Sequence, residues 1–91
     1  MYRVEFTKQA AKELQKLDRL TRHMIYVWIE KNLDSYADPY AHGKALKGTL
    51  CGYWRYRIGN YRLICEIKDD ELIILTLKIR HRRDILSWSI R

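Results

Sequence analysis

The stretch Tyr53-Trp54-Arg55-Tyr56-Arg57-Ile58-Gly59-Asn60-Tyr61-Arg62-Leu63-Ile64 constrains this chain more than any other. It reads as two strands joined at Gly59-Asn60, a dipeptide suited to a tight loop with positive φ. With a two-residue loop, Ile58 faces Tyr61 and Arg57 faces Arg62. Arg55 then lies two residues along on the same side, because strand side chains alternate. Trp54, Tyr56, Ile58, Tyr61, Leu63 and Cys65 fall on the opposite side. One face is therefore apolar and aromatic, and the other gathers three guanidinium groups. Like charges directly opposite one another destabilise a sheet, so this pattern points to an anion bound on the arginine face.

A chain of 91 residues is expected to form one domain, residues 1–91, and to bury roughly 65% of its unfolded surface. Its 18 Lys+Arg against 11 Asp+Glu give a net charge of +7. That balance points to a polyanionic partner, nucleic acid or an acidic protein. Cys51 and Cys65 have no metal-like spacing, and Cys65 reads as an inward strand residue, so a reduced pair is expected. No signal-peptide core follows Met1, and no apolar run approaches the ~18 residues of a membrane span. The sequence is read as cytoplasmic, with no membrane partner, no metal and no cofactor.

Tyr2 to Phe6 alternates with period two and reads as a strand. Thr7 can cap the helix that follows, in which Ala10, Leu14 and Leu17 form the apolar stripe. Lys8, Gln9, Lys12, Glu13, Gln15 and Lys16 are assigned to its wet side. Asp18-Arg19 reads as a break, with Thr21 capping a second helix from about Arg22 to Leu33. That helix carries Met24, Ile25, Val27, Trp28, Ile29 and Leu33, more apolar residues than one stripe requires. Either they are buried between the first helix and the sheet, or part of this surface awaits a partner protein. Asp34 to Gly52 is read as irregular.

Glu71 to Ile79 is the most β-prone stretch and poses a register problem. A two-residue Asp69-Asp70 loop would place Ile73, Leu75, Leu77 and Ile79 on the arginine face. Burial sets register more strongly than loop length, so a three-residue loop or a bulge is expected. Ile73, Leu75, Leu77 and Ile79 would then join the core, and Lys78, Arg80 and Arg82 would join Arg55, Arg57 and Arg62.

Six such basic side chains could hold phosphates of a single strand, since the guanidinium fork binds phosphate bidentately. Tyr53 is placed on the same face, where it could stack a base. Cleavage of RNA by its own 2′-hydroxyl requires a base, cations that stabilise the phosphorane, and an acid. Arginines suit the second role and not the first, because they stay protonated. His81 is the candidate acid or base nearest the cluster, although strand parity directs it to the other face. His23 and His42 read as surface residues. No P-loop, histidine metal motif or nucleophile constellation is present.

Asp38-Pro39-Tyr40 with Gly43-Lys44-Ala45-Leu46-Lys47-Gly48, the Tyr53–Leu63 stretch, and Ile79-Arg80-His81-Arg82-Arg83-Asp84-Ile85 resemble the RelE/ParE superfamily of bacterial toxin–antitoxin toxins, closest to the RelE branch. The resemblance implies an α+β fold: two N-terminal helices packed on a small, twisted, mostly antiparallel sheet, in the order β-α-α-β-β-β. It implies a toxin that enters the ribosomal A site and cleaves mRNA there without a metal. It also implies a cognate antitoxin, with the toxin–antitoxin complex binding operator DNA through the antitoxin. By motif position, Arg55, Arg57, Arg62 and Arg82 fall where the family holds the scissile phosphate. Lys44 and Lys47 fall where it contacts ribosomal RNA.

Two positions depart from the family pattern. Leu86, or Trp88 if no gap is allowed, stands where relatives often carry a tyrosine that acts in catalysis. Arg55 and Arg57 stand where some carry lysines. The competing readings are a ParE-like inhibitor of DNA gyrase without nuclease chemistry, and a non-catalytic antitoxin-binding module.

Overall fold

The computed structural model describes residues 2–33 and 38–84. Its sheet comprises β1 (Arg3–Phe6), β2 (Lys44–Ala45), β3 (Trp54–Ile58), β4 (Tyr61–Lys68) and β5 (Ile73–His81), in the spatial order β1-β5-β4-β3-β2. β1 runs parallel to β5, and the remaining pairs are antiparallel. Helices α1 (Lys8–Gln15) and α2 (Arg19–Asn32) connect β1 to the rest of the sheet. The fold is the α+β arrangement expected, with one addition. The two-residue β2 forms inside the stretch read as irregular.

The helices start where their caps place them. Thr7 Oγ1 accepts from the N–H of Ala10 at 3.1 Å, as expected, and α1 buries Ala10 and Leu14. The second cap is Asp18, not Thr21. The Asp18 carboxylate accepts from both the Thr21 N–H and its hydroxyl, so α2 begins at Arg19. A carboxylate also complements the helix N-terminus better than a hydroxyl does.

Both helices cover one face of the sheet. Leu14, Ile25 and Leu33 pack there against Tyr56, Ile58, Leu63, Cys65, Ile74 and Ile79. Each fully buried large apolar side chain contributes about 1.5–3 kcal/mol. α2 is not deeply buried as a whole. Ile25 is enclosed and Trp28 and Ile29 are half-buried, whereas Leu20, Met24, Tyr26 and Val27 are exposed. Among the described residues the surplus apolar surface of α2 faces outward, with Met24, Val27 and Trp28 lining a groove of about 470 Å³ beside Gly59.

The central hairpin has the expected register, Ile58 opposite Tyr61 and Arg57 opposite Arg62. Gly59 takes φ +57 at its turn. β5 differs from expectation in part. It enters the sheet with Ile73 opposite Lys68 after a four-residue loop, Asp69 to Leu72. That loop length keeps the parity of a two-residue loop, so Ile74 and Thr76 point into the core, and Ile73 and Leu75 do not. A bulge then breaks the ladder. Cys65 pairs with Thr76 but Ile64 pairs with Lys78, which leaves Leu77 unpaired. Beyond it the parity reverses, Ile79 enters the core, and Lys78 and Arg80 turn outward. Thr76 is accommodated inside because its hydroxyl meets the Cys65 Sγ at 3.6 Å. Cys51 and Cys65 are both free thiols, and burial pushes the pKa of Cys65 up to about 12.

Candidate nucleic-acid interface

The sheet face away from the helices carries two rows of basic residues, generated by cross-strand register. Arg57, Arg62 and Arg80 stand opposite one another across β3, β4 and β5. Lys44, Arg55, Ile64 and Lys78 form the parallel row across β2 to β5. Arg82 follows β5 in a single 3-10 turn, and its N–H donates to the Asn60 carbonyl at 2.7 Å. This bond ties the last basic segment to the hairpin loop.

Arg62 sits at the centre and is only 8% exposed. Its guanidinium donates to the carbonyls of Gly59 and Tyr61, at 3.1 and 3.0 Å. Its pKa is lowered by burial first, then by the charges of Arg57, Arg55 and Arg82. These four cations therefore share one electrostatic environment. Among the described residues, the ion pairs are Arg3 with Glu5 and Arg80 with Glu13. Arg55, Arg57, Arg62, Arg82, Lys44 and Lys78 have no carboxylate partner there.

Lys44 reaches this face through a stitched loop. The Tyr56 hydroxyl donates to the Pro39 carbonyl at 2.6 Å, and Trp54 Nε1 donates to the His42 carbonyl at 2.7 Å. Tyr40 donates to Asp69 at 2.7 Å. Gly43 then passes so close to β3 that a Cβ would lie 2.3 Å from the Arg55 carbonyl oxygen. Its φ of +80 also suits glycine. The close approach lays Lys44 beside Arg55, and together with Arg57 they line a depression of about 230 Å³.

The face thus unites Arg55, Arg57, Arg62, Lys44 and Lys78, with Arg82 at its margin. Four of the residues singled out from sequence lie elsewhere or are otherwise engaged. Arg80 belongs to the face by its backbone, but its side chain turns over the sheet edge to Glu13, at 2.5 Å. His81 stands on the opposite face, edge-on to Tyr61 with ring centroids 5.2 Å apart, and its Nδ1 accepts from the Arg83 N–H. Lys47 is exposed at the start of the Gly48–Leu50 turn. Tyr53 precedes β3 and lines a shallow pocket with Tyr40, Ala45, Trp54 and Ile67. Leu86 and Trp88 lie outside the described residues.

Glu13 is the participant that sequence reading missed. It was assigned to the wet side of α1, yet its side chain is only 19% exposed. Burial opposes its charge, but hydrogen bonds from the Ile79 N–H and from Arg80 outweigh burial and lower its pKa. Its local partner, Gln9 at 3.2 Å, is an ordinary i,i+4 pair of an exposed helix face, and the partners that set it apart, Ile79 and Arg80, lie on β5.

Chemically, such a face can bind and neutralise several phosphate oxygens. It offers charge stabilisation and orientation, since its arginines do not exchange protons near neutrality.

Residues 4–86 match the family described as the ParE toxin of the type II toxin–antitoxin system parDE. The chain is 32% identical over 84 residues to toxin RelG of Mycobacterium tuberculosis, covering 92% of this chain and 94% of that one. It is also 32% identical over 88 residues to toxin RelE3 of Methanocaldococcus jannaschii, covering 94% and 97%. Among solved structures, it superposes on a chain of the toxin–antitoxin complex RelBE2 from M. tuberculosis with a TM-score of 0.76 at 32% identity, covering 89% of this chain and 98% of that one. A chain of the RelB–RelE complex from Methanococcus jannaschii gives 0.69 at 28% identity, covering 92% and 96%. The matched family model spans nearly the whole described chain, and the chain belongs to the ParE toxin family of type II toxin–antitoxin systems, within the RelE/ParE superfamily.

Proposed function

We propose that this toxin is a metal-independent, ribosome-dependent mRNA endoribonuclease acting in the cytoplasm. The observation that carries this reading is the convergence of Arg55, Arg57, Arg62 and Arg82 on one face with no carboxylate partner among the described residues. In this reading the arginines grip the scissile phosphate in the ribosomal A site and stabilise the charge that builds as the 2′-hydroxyl attacks. His81 faces away from them, so proton transfer falls to groups outside the cluster. The relatives named RelE and RelG support this branch of the superfamily.

The cognate antitoxin is an acidic, amphipathic segment that neutralises the basic face and covers the exposed apolar side of α2. The complex binds operator DNA through that antitoxin. The relatives found in toxin–antitoxin complexes support such a partner.

The test is cleavage on a programmed ribosome. Wild type and Arg62→Ala, each shown to be folded, are added to stalled ribosomes carrying end-labelled mRNA, with naked mRNA as control. Cuts at the A-site codon that need both the ribosome and Arg62 are expected. Intact mRNA from folded wild type would overturn the reading. The match to a ParE family model favours a second reading, inhibition of DNA gyrase. A supercoiling assay with purified gyrase, run on the same preparations, separates the two.

A further inference from the structure

Among the described residues, Arg80 is the one member of the basic rows with a carboxylate partner. Its Nη1 donates to Glu13 Oε2 at 2.5 Å and to the Ile79 carbonyl at 3.0 Å. The other carboxylate oxygen, Oε1, accepts from the Ile79 N–H at 2.8 Å. This geometry follows from the length of β1. β1 ends at Phe6, opposite Thr76, so among the described residues the edge of β5 beyond that point has no strand partner. Glu13 from α1 fills the gap at Ile79.

Oε2 also accepts from Gln9 Nε2, one turn back on α1, at 3.2 Å, and the two bonds that Glu13 makes to β5 are separable. Oε1 holds the backbone of β5, while Oε2 holds a side chain whose Cα is fixed opposite Arg62. Arg80 can therefore leave Glu13 by side-chain rotation alone, without disturbing the strand edge. Turned inward in the free protein, it would extend the repulsive row of Arg57 and Arg62. Turned inward beside a phosphate, it would add a further bidentate donor.

We propose that Glu13 is an intramolecular competitor for the phosphate backbone: it holds Arg80 in reserve in the free toxin and yields it when single-stranded RNA occupies the basic face. Glu13 is thereby a positioning residue that sets the affinity of the face without touching RNA. This inference rests on the nucleic-acid reading given above, and the experiment separates the two.

Binding of a fluorescein-labelled single-stranded oligouridine is followed by anisotropy between about 50 and 200 mM salt, a range over which phosphate contacts dominate affinity. The proteins are the full chain as wild type, Glu13→Gln, Arg80→Ala, the double variant and Arg62→Ala. Glutamine keeps an oxygen for the Ile79 N–H but loses the ion pair. Glu13→Gln should tighten binding about threefold, the worth of a partly exposed ion pair. The slope of log K against log salt should stay that of wild type, because Arg80 meets phosphate in both complexes, whereas Arg80→Ala should make it shallower by about 0.7, the loss of one phosphate contact on a single strand. Arg80→Ala should weaken binding, and on that background Glu13→Gln should change nothing.

An equal gain from Glu13→Gln with and without Arg80 would reduce the effect to net charge and overturn the inference. So would unchanged binding in both single variants. No binding by wild type, or full binding by Arg62→Ala, would instead overturn the nucleic-acid reading and the inference with it. Thermal melts confirm folding. Where Glu13→Gln melts early, Glu13→Asp, which keeps the charge but cannot span both partners, is tested in the same cycle with the same expected loss of coupling to Arg80.

Discussion

Replacing Arg57 by threonine removes one cation from the row Arg57–Arg62–Arg80 and should make the protein more stable. Arg57 is exposed and directly opposite Arg62. Arg80, on the other side of Arg62, is neutralised by Glu13, so the uncompensated repulsion in this row is chiefly Arg57 against Arg62. A directly opposed like-charge pair costs about 0.2–1 kcal/mol, and threonine retains strand propensity. A gain of about 0.5 kcal/mol is expected, equivalent to about 2–4 °C in melting temperature for a domain of this size. The gain should be largest at low ionic strength and vanish near 1 M salt, where the Debye length is about 3 Å. Scanning calorimetry or circular dichroism melts at the two ionic strengths provide the measurement. Arg3→Thr is the control: it removes an equal charge from the same sheet, but one paired with Glu5 at 2.9 Å, and should bring no gain. Affinity for RNA should fall in Arg57→Thr as stability rises, the opposition expected where charges are held together for a ligand. A variant that is destabilised at low salt, or whose gain survives at high salt, would refute the view that Arg57 and Arg62 repel one another.

Tyr56→Phe should cost about 1–2 kcal/mol, read as a lower urea midpoint at unchanged slope, because it leaves the Pro39 carbonyl without its donor in a buried setting. The Tyr56 ring itself is fully buried and fills the same space as phenylalanine, so no loss would show that the hydroxyl does not stitch the loop. Acid should expose the role of Glu13. Its folded pKa lies below the ordinary value of 4.5, so its stabilisation is present above that value and is lost as pH falls through the folded pKa. The melting temperature of Glu13→Gln should therefore lie below wild type at neutral pH and converge with it in acid. A constant gap across that range would show that the carboxylate charge is not what stabilises.

Three arginines of the site were legible in sequence because a tight turn dictates local pairing. Once Gly59-Asn60 is the loop, Arg57 must oppose Arg62, and Arg55 must share their side. β5 was less legible because two distant constraints compete for its parity. At its start, the loop after Lys68 and the parallel pairing with β1 place Ile74 beside Val4 and Thr76 beside Phe6, both inward. At its end, Ile79 pairs with Leu63 in the core. Residues 74 and 79 cannot face the same way along an uninterrupted strand with period two. Leu77 resolves the conflict as the extra residue of a bulge. A bulge was expected, but placing it at the loop sent Ile73 and Leu75 to the wrong side, and the polar Thr76 gave no hint that a thiol waited beside it. The same bulge also makes the basic face. With an unbroken ladder, Lys78 would lie opposite Leu63 and enter the core, and Ile79 would lie opposite Arg62. The residue that lets β5 satisfy the core at both ends is thus also the one that delivers Lys78 to the basic side of the sheet and Arg80 to the edge where Glu13 can hold it.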